Sequence, residues 1–95
     1  MIAGLGKMIF RFHGCRSLKG KRTIVKSIIN RMRNNFNIAV AEVGLNNVHQ
    51  RAQIGFALVG NNRQVVNSKI DKIFNFVEML GAGEIIDTEM EIINL

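Results

Sequence analysis

"GLNNVHQ", residues 44–50, limits the possible folds of this chain more than any other stretch. It joins two segments rich in apolar and β-branched residues, "NIAVAEV" at 37–43 and "RAQIGFALV" at 51–59. A link this short, rich in Gly and Asn, makes a turn but not a crossover, which takes about a dozen residues or more. The two strands therefore lie side by side and antiparallel, as a hairpin.

Each flank of the hairpin carries one helical pattern and one strand pattern. Over residues 2–12, Ile2, Met8, Phe10 and Phe12 share one parity while Lys7 and Arg11 share the other. Gly4 and Gly6 fall on the apolar parity and leave room for a closely packed helix. A helix is predicted from Leu18 to Asn35 with Ser17 as N-cap, its apolar face being Leu18, Val25, Ile28, Ile29, Met32 and Phe36. A second is predicted from Arg63 to Leu80, capped by Asn61 or Asn62. It buries Val66, Ile70, Ile73, Phe74, Val77 and Leu80, and "GAG" at 81–83 ends it. The last strand, "EIIDTEMEII" from Glu84, sets Ile86, Thr88, Met90 and Ile92 against Asp87, Glu89 and Glu91.

The order is strand, helix, strand, strand, helix, strand, in one domain spanning residues 1–95. Two right-handed crossovers interleave most simply as an α+β, ferredoxin-like βαββαβ sandwich. Its four antiparallel strands run in the order 4-1-3-2, with both helices on one face. Within the hairpin, Ala52, Ile54, Phe56 and Leu58 face the core, and Arg51 and Gln53 face away. A symmetrical loop sets Glu42 opposite Arg51 as a cross-strand ion pair and turns Ala39 and Ala41 inward.

Charge gives the functional lead. Residues 1–51 carry +9 and residues 52–95 carry −3, which together make the net +6. Strand 4 lies beside strand 1, so its acids can meet Lys7 and Arg11, whereas the first helix has no such partner. The basic segment Arg16, Lys19, Lys21 and Arg22, extended by Lys26 and Arg33, is the candidate anion-binding site. Free N–H groups at a helix start bind phosphate, and the side chains add point charges. The same residues also read as an ordinary solvated helix face. Nucleic acid is the partner such a stripe fits, through salt-dependent phosphate contacts.

Other chemistries find less support. The RNA-recognition motif stacks bases on aromatics of its central strands, but Phe10, Phe12 and Phe56 all fall on the buried parity here. Leu5, Ile9, Ala57, Val59, Ile85 and Ile93 make the outer sheet face more apolar than a wet sheet. They read either as a homodimer interface or as scattered exposed aliphatics. His13 and Cys15 lack the second ligand pair of a zinc site, and no assembled nucleophile and base is evident. "GLG" at 4–6 lies inside a strand, not between strand and helix as a nucleotide fingerprint does. Glu89 and Glu91 alternate with Met90 as the wet side of a strand. A non-enzymatic domain without metal or cofactor is expected. No apolar run approaches the roughly 18 residues of a membrane span, and the start lacks the basic-then-apolar order of an export leader. With a single cysteine, Cys15, a reducing cytoplasm is the expected setting.

"RSLKGKR" at 16–22, "FNIAVAEV" at 36–43 and "QRAQIG" at 50–55 resemble the YlxP-like proteins, small bacterial domains of unknown function. The likeness runs over nearly the whole chain and implies the same ferredoxin-like sandwich. Members are often encoded beside translation-initiation and ribosome-maturation factors, which implies RNA or a ribosomal particle as partner by association. Glu42, Gln50 and Arg51 match the family's motifs and are expected to pin the hairpin. The family commonly has Glu where this chain has Gly20, which removes the Ser-x-x-Glu capping box. It commonly has Trp where this chain has His49, which alters any loop or partner contact made there.

Overall fold

In the computed structural model, which describes residues 1–95, these patterns resolve into six elements: β1 (Ile2–Arg11), α1 (Leu18–Asn35), β2 (Ala39–Gly44), β3 (Arg51–Gly60), α2 (Arg63–Leu80) and β4 (Glu84–Asn94). The strands form one antiparallel sheet in the order β2-β3-β1-β4, the ferredoxin-like arrangement. Both helices are capped as their sequences require. The Ser17 hydroxyl accepts from the Gly20 N–H at 3.0 Å, and Asn62 Oδ1 accepts from the Val65 N–H at 3.1 Å. Gly81 closes α2 at φ 63°, a left-handed conformation that costs glycine nothing.

The core gathers Val25, Ile28 and Met32 of α1 and Val66, Ile70, Ile73 and Val77 of α2 over one side of the sheet. The inward parities of β1 and β3 supply Met8, Phe10, Ala52, Ile54, Phe56 and Leu58. Two glycines permit this closeness. A Cβ on Gly4 would lie 2.7 Å from Val66 of α2, and one on Gly6 would lie 2.2 Å from the Phe56 ring. Gly6 and Phe56 are cross-strand partners, so the ring folds over a position with no side chain and meets Phe74 of α2 edge-on at 5.4 Å.

Two details correct the sequence reading. Ala39 and Ala41 are exposed while Val40 is buried, and Glu42 stands opposite Ile54 rather than Arg51. The hairpin is not symmetrical, because pairing slips between Glu42 and Gly44 and Leu45 turns in the left-handed region at φ 59°. This register buries a valine in place of two alanines and turns Glu42 toward the helix layer. In β4 the pairing jumps from Ile9–Asp87 to Phe10–Ile85. Ile86 is the extra residue of this bulge, so Ile85, expected on the outer face, packs against the core.

Candidate functional site

The six predicted phosphate contacts do not share one environment. Lys19, Arg22 and Lys26 are exposed on α1, and their spacing of three and four residues keeps them on one stripe. Arg16 is exposed just before the Ser17 cap. None of these four makes an ion pair; the chain's ion pairs are Lys7–Glu89 at 3.8 Å, His13–Glu84 at 3.1 Å and Lys21–Glu42 at 3.2 Å. Arg33 is exposed two turns beyond Lys26, and its guanidinium donates to Val40 O at 3.0 Å.

Lys21 must be removed from the set, because it is fully buried and unable to reach a phosphate. Its ammonium donates to Leu45 O at 2.8 Å, Asn46 O at 3.2 Å and Arg51 O at 3.3 Å. An ammonium has three protons, and three carbonyls take them. Glu42 Oε2, at 3.2 Å and without a hydrogen bond of its own, therefore contributes its charge alone. This lysine ties the start of α1 to both ends of the 44–50 loop. Its place was visible in the sequence: Lys21 lies four residues before Val25 and seven before Ile28, on the buried arc of the helix.

Two of the three hairpin residues meet this lysine, and the third bonds the end of β1. Glu42 pairs with Lys21, Gln50 O accepts from the Phe12 N–H at 2.8 Å, and Arg51 O accepts from Lys21. The predicted Glu42–Arg51 ion pair is replaced by Lys21–Glu42, since the actual register puts Glu42 on the inner side. His13 bonds Glu84, and the Cys15 thiol turns to Ser17 O at 3.6 Å, so the two do not converge on a common point.

The sheet face away from the helices forms a trough of about 540 Å³ that crosses all four strands. Small residues floor it, among them Ala41, Gly55 and Ala57, and it runs from Val43 on β2 past Leu5 to Glu89 and Glu91 on β4. Three acids of β4, Asp87, Glu89 and Glu91, line this face beside the Leu5, Lys7 and Ile9 positions of β1. At its far end Arg11 and Arg51 stand directly opposite each other across β1 and β3, and neither makes an ion pair. No helix of the chain is long and apolar enough to cross a membrane.

A family model described as "Protein of unknown function (DUF503)" matches residues 3–90. The uncharacterized protein YlxP of Bacillus subtilis (strain 168) is 32% identical over 62 residues, which span 65% of this chain and 67% of that protein. An Arabidopsis thaliana protein of known crystal structure superposes with a TM-score of 0.52 at 11% identity, over 98% of this chain and 94% of that one. A dimeric ferredoxin-like protein from an uncultured marine organism does so with a TM-score of 0.51 at 8% identity, over 100% and 98%. At these identities the two structures speak for the fold alone.

Proposed function

The chain belongs to the DUF503 family, and from its unmatched charge we propose that it is a non-catalytic module that binds structured RNA, on or near the ribosome, through phosphates. One observation carries this reading: Arg16, Lys19, Arg22 and Lys26 are exposed along one edge with no carboxylate partner. Arg33 continues the stripe with part of its guanidinium already engaged by Val40 O. Contacts of this kind position a protein on RNA without reading bases. In a salt titration of binding to a structured RNA, the triple variant K19A/R22A/K26A should flatten the log–log slope by about one unit per lost contact. The pair K69A/K72A on α2 should leave it unchanged. An unaltered slope in the triple variant overturns the proposal.

A second reading rests on the trough. Its apolar lining favours a homodimer that packs outer sheet face against outer sheet face, the arrangement least in conflict with RNA bound to the helix layer. One of the two proteins of similar fold is itself described as dimeric. Sedimentation at micromolar concentration tests it, and a monomer there removes it.

A further inference from the structure

Arg11 and Arg51 are the least comfortable charges on the molecule. The Phe12 N–H bonds Gln50 O just beyond them, so theirs is a non-hydrogen-bonded cross-strand pair, the kind that brings side chains closest. Like charges so placed repel. Glu84 stands opposite Arg11 on β4, but its carboxylate is bonded to His13 and pairs with neither arginine. Across the same face, Glu91 has no cation, and Glu89 has only Lys7 at 3.8 Å.

We propose that a second copy of the chain resolves both mismatches: Arg11 and Arg51 of each copy engage Glu89 and Glu91 of the other. This rests on the homodimer reading and specifies its geometry. A two-fold axis along the strands would exchange β1 with β3 and lay Arg11 over the partner's Arg51. An axis across the strands would lay β4 over β4, acid against acid. A diagonal axis swings the arginine end of each sheet over the β4 edge of the other. The sheets then cross near a right angle, one of the two ordinary ways in which sheets pack.

The test is a charge exchange read by sedimentation. R11E/R51E and E89R/E91R should each weaken self-association at least tenfold, and an equimolar mixture should form a one-to-one heterodimer near wild-type affinity. The neutral variant R11Q/R51Q, less demanding on the fold, should weaken the dimer by less, and rising salt should weaken the wild type. If the wild type is dimeric but both reversed chains dimerise as it does and show no preference for each other, the charge pairing is wrong while the dimer stands. A monomeric wild type overturns both. If R11E/R51E leaves the dimer intact and abolishes RNA binding, the arginine corner takes phosphate instead, and the pairing is overturned.

Discussion

Replacing Lys21 by Met tests the interaction on which the hairpin depends. The change keeps most of the side-chain volume and removes the charge. Three carbonyls, of Leu45, Asn46 and Arg51, lose their shared donor, and Glu42, whose side chain is only 16% exposed, loses its counter-charge. Breaking one side of a buried pair costs about 3–5 kcal/mol, a large part of the roughly 5–14 kcal/mol available to a domain of 95 residues. In a thermal melt that corresponds to a fall of about 12–40 °C. Glu42→Gln should cost less, about 1–2 kcal/mol, because the three ammonium hydrogen bonds survive it. K21M/E42L should be more stable than K21M alone, since two apolar side chains leave no orphaned charge. Urea unfolding of the wild type, K21M, E42L and K21M/E42L closes the cycle. A K21M loss below about 0.5 kcal/mol, or additive effects at the two sites, would refute the tie.

Two further substitutions probe local features. Gly20→Glu places a carboxylate three residues after the Ser17 cap and replaces glycine inside a helix; it should raise stability by about 1 kcal/mol, seen as a rise of roughly 4–8 °C in melting temperature. It should also weaken RNA binding by setting a negative charge beside Lys19, and a variant that melts no higher contradicts the capping argument. Gly6→Ala drives a methyl into the Phe56 ring, which is held by Phe74, and should cost about 1–3 kcal/mol. The same change in a Phe56→Leu background should cost less, and equal losses in the two backgrounds would show that the ring is not what fills the space above Gly6.

What the sequence made legible follows from how sharply each pattern chooses between faces. In α2, Val66, Ile70, Ile73 and Val77 repeat at helical spacing, and every residue between Val66, Ile70 and Ile73 is polar, so that face is marked for burial. In β1 Gly4 and Gly6 share a parity with Met8 and Phe10, in β3 Ile54, Phe56 and Leu58 share one, and the inner face followed. The β2 pattern is ambivalent: Ile38 and Val40 compete with Ala39, Ala41 and Val43, and Glu42 decided the matter on the premise that a carboxylate faces water. That premise fails because Lys21 waits on the helix side, and neither residue explains its position without the other. The slip after Glu42 and the left-handed Leu45 have no signal in propensity, since leucine is not a residue that favours φ above zero. The β4 bulge was hidden likewise, because adjacent Ile85 and Ile86 fit either face.

The uneven charge of the chain separates cleanly once these positions are fixed. On the outer sheet face three cations, Lys7, Arg11 and Arg51, share the surface with four acids, Glu84, Asp87, Glu89 and Glu91, so that face is close to neutral in sum. It is segregated, though, with the arginines at one end and the acids along one edge. A nearly neutral, segregated and partly apolar surface attracts a copy of itself, because each copy offers the sign that the other lacks. The chain's excess of positive charge therefore resides elsewhere, and the unpaired residues of α1 carry most of its exposed part. Lys21 lies between the two regions: its stem belongs to the buried arc of α1, and its ammonium holds the carbonyl of Arg51, whose side chain stands on the sheet face. One buried lysine thus fixes the origin of the stripe offered to RNA and the arginine corner offered to a second copy.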